Sequence, residues 1–192
     1  MALQLKIAPS PLTREADRLY GELLLILAIL SAAAPLFVEA TLAWSLLTAG
    51  IAGVWWIAVD RTPRGLLAGV AWAVIALALG LQLTFHLLID VLPLDLALGG
   101  GFVLLGVAEL WLGLERYRRR PAARIVMVVG GAVAVVFGVS APLVWPSLPN
   151  WAGAATVALM MGGFGAGLLI GSLRLRRARD APAADVAPEP RT

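Results

Sequence analysis

Glu109 is the one carboxylate well inside a long apolar run of this chain. Burying a charge in a membrane helix costs several kcal/mol, on the order of 3 or more, so an ionisable residue there is a functional candidate by default. Two readings stay open for it: a proton relay, or a structural group that leans towards the interface or meets an arginine such as Arg61 or Arg116. His86 and Asp90 are four residues apart and would share a helix face. A histidine beside a carboxylate titrates near the acid range, so this pair reads as a pH sensor or as an ordinary interfacial hydrogen bond. The three residues form the candidate proton-handling set. Nothing else suggests a reaction. The chain has no cysteine and one histidine, which excludes disulfides, thiolate catalysis, Cys-ligated zinc, iron–sulfur clusters and a multi-histidine metal site. No catalytic residue, metal site or cofactor is expected, and the chain is read as a non-enzyme.

A second set of residues could act through packing. Gly163, Gly167 and Gly171 recur at spacing four, as do Gly130, Ala134 and Gly138. Small residues at that spacing let helix backbones approach closely in lipid, where no hydrophobic drive joins helices. They serve packing within one bundle, a dimer face or a sliding contact equally well. A nucleotide loop is not credible, because Gly163-Phe164-Gly165-Ala166-Gly167 lacks a preceding strand and the Gly-Lys-Ser/Thr ending.

The elements that must position these residues follow from composition. Of 192 residues, 60% are hydrophobic and 14% charged, with a mean hydropathy of +0.89. Soluble domains carry roughly a quarter charged residues, so lipid must be the solvent for most of this chain. The pI of about 10.2 does not point to nucleic acid, since the basic residues sit in short clusters beside apolar runs. The run from Leu19 to Val59 holds no Lys or Arg and continues far beyond a signal-peptide core, so no cleavage is expected. As one rod it would be roughly 60 Å long, twice a bilayer core. It must fold back, and Pro35 is the best breaking point. The same logic predicts six helices, near Ala16–Ala34, Pro35–Val59, Gly65–Leu88, Leu94–Leu114, Ala123–Pro142 and Asn150–Leu173.

Charge sets the orientation. The N-terminal segment, the loops at Asp60–Arg64 and Glu115–Arg124 and the C-terminal residues after Leu173 hold all 15 Lys and Arg residues, and the three other turns hold none. Cytoplasmic loops carry such an excess, so both termini are predicted to be cytoplasmic. Tyr20, Trp55, Trp56, Trp111 and Tyr117 fall near the inner interface and Trp145 and Trp151 near the outer one, as amphipathic rings prefer. Arg118, Arg119, Arg120, Arg174, Arg176 and Arg177 are expected to fix topology and touch anionic lipid headgroups. The predicted organisation is a cytoplasmic segment (1–18), a six-helix transmembrane domain (19–177, hairpins about 19–61, 65–116 and 123–174) and a disordered cytoplasmic tail (178–192).

The hairpins repeat one layout of helix, proline-containing turn, helix and arginine. Gly50, Gly53 and Trp55 before Arg61 line up with Gly106, Glu109 and Trp111 before Arg116, and Gly163 through Leu168 match more loosely ahead of Arg174. Units of two spans give parallel repeats. The pattern of Tyr20-Gly21, Pro35, Gly50 with Gly53, Pro93 with Gly106, and Gly130-Gly131 with Gly138 and Pro142 resembles the HdeD-type acid-resistance membrane proteins over roughly Leu19 to Arg177. The resemblance implies a bacterial inner-membrane protein linked to acid tolerance and supplies no catalytic or transport residues. A mitochondrial-carrier pattern begins at Pro93-Leu94-Asp95 but fails at Leu98, and the chain is too short. The expectation is therefore an all-α, polytopic bundle with a structural or stress-protective role. Its partners are membrane lipids, with a second copy or other membrane proteins left open and no nucleic acid. The rival is a proton or small-solute transporter using Glu109.

Overall fold

The computed structural model describes residues 11–33, 38–59, 65–85, 94–118, 120–144 and 151–180. They form six helices: α1 (Pro11–Ala33), α2 (Val38–Val59), α3 (Leu66–Phe85), α4 (Leu94–Arg116), α5 (Pro121–Val144) and α6 (Trp151–Asp180), with no strand among the described residues. Five of them, α2 to α6, contain stretches of 20 to 23 residues long and apolar enough to cross a membrane. At 1.5 Å per residue these measure about 30–35 Å, the thickness of a hydrocarbon core. Their outward faces stay apolar, with Val136 69% and Leu143 81% exposed. An apolar exterior of this kind needs lipid as its solvent. The chain is thus an all-helical, multi-pass membrane protein.

Three of the helix ends that differ from expectation have a plain description. Helix α1 starts at Pro11 rather than Ala16, because proline fits the first turn of a helix and Arg18 pairs with Glu22 one turn later at 2.7 Å. Helix α5 continues past Pro142, which lies in its last turn against Gly99 of α4. Helix α6 runs on through the arginines to Asp180, which takes in the first three residues assigned to the tail; residues 181–192 lie outside the described residues. Between α2 and α3, Gly65 has a φ of 78°, and a Cβ there would stand 2.8 Å from Leu112. That backbone favours glycine, and its carbonyl accepts the Gly69 amide at 2.8 Å to open α3.

The closest seams run between α2 and α3, between α4 and α5, and between α6 and α1, so the last helix returns against the first and closes a ring. Glycines set each seam. A Cβ on Gly50 would lie 2.5 Å from the Leu77 amide, one on Gly106 2.5 Å from the Gly131 carbonyl, and one on Gly165 2.7 Å from the Gly21 carbonyl. Neighbouring helices run antiparallel: Gly99 meets Gly138 and Gly106 meets Gly131 across α4 and α5, while Gly80 meets Leu47 across α3 and α2. In lipid such close backbone approach supplies the dispersion contact that holds helices together.

The interior is filled by rings. Tyr20 stacks on Trp56 at 5.3 Å, and Phe164 lies edge-on to both at 6.0 Å and 4.7 Å from Trp72. The Tyr20 hydroxyl donates to the Ala49 carbonyl at 2.9 Å. Tyr20, Trp56 and Tyr117 are buried, so their rings pack inside the bundle rather than facing headgroups, and Tyr20 and Trp56 also find hydrogen-bond acceptors there. Trp55 and Trp111 do face outward.

Candidate functional site

Glu109 sits on the face of α4 that turns towards α5 and α6, and it is fully buried, 0% exposed. Its neighbours are glycines. A Cβ on Gly130 of α5 would stand 2.7 Å from Glu109 Oε1, and one on Gly163 of α6 would stand 3.3 Å from the same atom. Gly130 and Gly163 also face each other, since a Cβ on Gly163 would lie 3.2 Å from the Gly130 Cα. The two glycines make a slot one carboxyl group wide where three helices meet. Among the described residues neither Glu109 oxygen has a hydrogen-bond partner. A carboxylate is a strong acceptor, and leaving it buried and unpaired costs several kcal/mol, roughly 3 or more, unless a proton or a cation comes with it. Chemically the slot can hold a proton at a named atom.

A second polar cluster closes the arginine-rich end of the bundle. Arg116 Nη2 at the end of α4 donates to Asp17 of α1 at 2.9 and 3.0 Å. Trp56 Nε1, near the end of α2, donates to the same carboxylate at 2.8 Å. The Arg116 guanidinium also lies 5.1 Å over the Trp56 ring and 6.0 Å from that of Tyr117, a cation–π arrangement. Arg120 donates to the Gly171 carbonyl of α6, and Gly171 leaves room for the Tyr117 ring. Burial pushes the Tyr117 hydroxyl up to about 12, with the Arg116 charge opposing, so the ring stays neutral at physiological pH. The start of α1 and the ends of α2, α4 and α6 are thereby tied together at one end of the bundle. The cluster has the chemistry of a lock rather than of a reaction centre.

The predicted residues divide accordingly. Glu109 is buried as its position in the run required, but Arg116 is taken by Asp17 and does not reach it. Arg61, His86, Asp90 and Arg119 lie outside the described residues. Gly167 packs on Met127, Gly171 on Tyr117, Gly130 on Gly163 and Gly138 on Gly99 and Val103, and Ala134 is buried. The small-residue faces are thus occupied within one chain. Gly50, Gly53 and Gly106 lie in the seams, whereas Trp55 and Trp111 point away from them. In the third unit it is Gly165 that faces a backbone amide of the neighbouring helix, that of Leu25, as Gly50 and Gly106 face those of Leu77 and Val135, a shift of two residues from the Gly163 of the sequence alignment. Arg118 is exposed, Arg120 is half-buried and bound to a carbonyl, and Arg174, Arg176 and Arg177 extend α6.

Sequence reasoning missed Asp17, Trp72 and Phe164, and it read Trp56 as an interfacial ring without its bond to Asp17. The signal for Asp17 was present: Tyr20, Leu24 and Leu27 follow it at helical spacing and all four are buried. No family model, curated protein or solved structure matches the chain.

Proposed function

We propose that the chain is a six-span protein of a bacterial inner membrane, with both termini cytoplasmic, built from three parallel hairpin repeats and similar to the HdeD type. Its role in this reading is structural and stress-protective, centred on acid tolerance, without catalysis. One observation carries it: the helices close into a glycine-sealed ring whose interior is filled by the rings of Tyr20, Trp56, Trp72 and Phe164. A transporter needs a polar path near the midplane, and a packed aromatic core is the opposite of one.

Two further features support the six-span, threefold arrangement. Helix α1 packs along α6 from Gly21 to Ala28 and hydrogen-bonds α2 through Ser31 and Ser45 at 3.0 Å, so it lies beside spanning helices along its apolar half. The seams also share one register. Gly50 faces Leu77, Gly106 faces Val135 and Gly165 faces Leu25 through their backbone amides. Three residues after these glycines come Gly53, Glu109 and Leu168, and five residues before their partners come Trp72, Gly130 and Tyr20. Glu109 thus occupies a place that another unit fills with a leucine. The positive charges at one end support the cytoplasmic placement of the termini.

A deletion strain held at low external pH tests the reading. Faster cytoplasmic acidification and lower survival than in the complemented strain are expected, and an unchanged response sinks the acid-tolerance role. The unpaired Glu109 carboxyl favours the transporter as a second reading. Proton leak through proteoliposomes that disappears in Glu109→Gln would establish it in place of the first.

A further inference from the structure

We propose that Glu109 is a proton-binding site whose occupancy controls how tightly α4 packs on α5 and α6. The inference goes beyond the stress-protective reading and rests only on the membrane placement of these helices.

The slot selects its ligand by size. At both Gly130 and Gly163 even a methyl group would press on Glu109 Oε1, at 2.7 and 3.3 Å. A hydrated metal ion or an organic cation is far larger than a methyl group, so a proton is the ligand that fits. Nor do the described residues around it offer a counter-charge. Helices α3, α5 and α6 are the elements packed against α4. Helix α3 has no ionisable residue over Leu66–Phe85, α5 none between Ile125 and Val144, and α6 none between Ala152 and Leu173. On α4 itself, Arg116 is held by Asp17 about two turns away, and Glu115 is exposed. Tyr20 donates its hydroxyl to the Ala49 carbonyl, Tyr117 lies against Gly171, and Arg124 is exposed at the start of α5.

With the proton bound, the carboxyl is neutral and the glycine contacts persist. With it released, the charge has no partner and must find water, which requires α5 and α6 to part at Gly130 and Gly163. The same geometry explains why glycine stands at both positions. A side chain on either would occupy the space of the acid, and at the matching place on α6 the neutral Leu168 packs against Gly21 instead.

The purified full chain in lipid nanodiscs, stepped from acidic to alkaline pH, provides the test by infrared difference spectroscopy. The carbonyl stretch of a protonated carboxylic acid is expected in wild type, converting to carboxylate bands as pH rises and absent from Glu109→Gln. Over the same pH interval the wild-type Tm is expected to fall, while the Tm of Glu109→Gln stays level. Glu109→Leu, which copies the residue at that register of α6, serves as the second variant and is also expected to hold a level Tm. Acid-band spectra identical in wild type and Glu109→Gln overturn the proton site. A band that titrates without any difference in Tm between wild type and both variants overturns the control of packing. Neither result depends on an acid-survival phenotype, so failure here and failure of the stress-protective reading are distinguishable.

Discussion

Asp17 shows how much one residue can hold. Its carboxylate accepts from Trp56 and from Arg116, and both members of the ion pair are only 12% exposed. Removing one partner of such a pair leaves the other charge stranded, which typically costs about 3 kcal/mol or more. Asp17→Asn is therefore expected to lower the Tm in nanodiscs or detergent, at about 2–4 °C per kcal/mol for a chain of this size. A thermal melt in parallel with Arg18→Gln checks it, since the exposed Arg18–Glu22 pair contributes little. Equal melting of both variants contradicts the lock. At this scale the sequence was half legible. An acid inside an apolar run stands out as an exception, and so Glu109 was found. Asp17 sits among four other charged residues between Arg14 and Glu22 and carries no local mark of its distant partner.

Among elements, the seams decide stability. At Gly106 an added side chain meets backbone atoms of α5, which cannot move aside as a flexible side chain can. Gly106→Leu is expected to cost about 1–3 kcal/mol, the range for overpacking a tight contact, or to prevent folding. Gly100 is the control, because nothing lies within 4 Å of a Cβ there. Gly100→Ala is expected to be neutral or to stabilise by up to about 1 kcal/mol through helix propensity. Comparing the two melts tests whether α4 and α5 meet where described, and equal effects would contradict that seam. The helices themselves could be read from hydropathy, proline and glycine, since each is a local property. Their pairing could not. Hairpin logic places α1 beside α2 and α3 beside α4, yet the tighter seams join α2 to α3, α4 to α5 and α6 to α1. Connection in sequence says which helices are near, and surface shape says which are close.

The whole molecule is a ring of antiparallel helices whose arginine-rich end is tied by Asp17, Arg116 and Arg120. If that end faces the cytoplasm, single cysteines will report it, and the natural absence of cysteine makes any introduced thiol the only one. Cysteines at Arg118 and at Thr192 are expected to resist a membrane-impermeant maleimide in intact cells. One at Pro149 is expected to react. Labelling at Arg118 or Thr192 in intact cells would reject the orientation.

Composition and charge spacing by themselves determined that this chain lives in lipid as helices, because solvent preference is a sum over residues and needs no partner. They also singled out Glu109, because a charge among apolar side chains is visible without coordinates. Only the tertiary structure decided what surrounds it: two glycines from helices 21 and 54 residues further along, and no counter-ion among the described residues. It alone decided that Arg116 answers Asp17 across 99 residues of sequence. Such pairings depend on which faces meet when six similar apolar rods pack, and rods of similar hydropathy differ chiefly in the shape that glycine and aromatic residues give them.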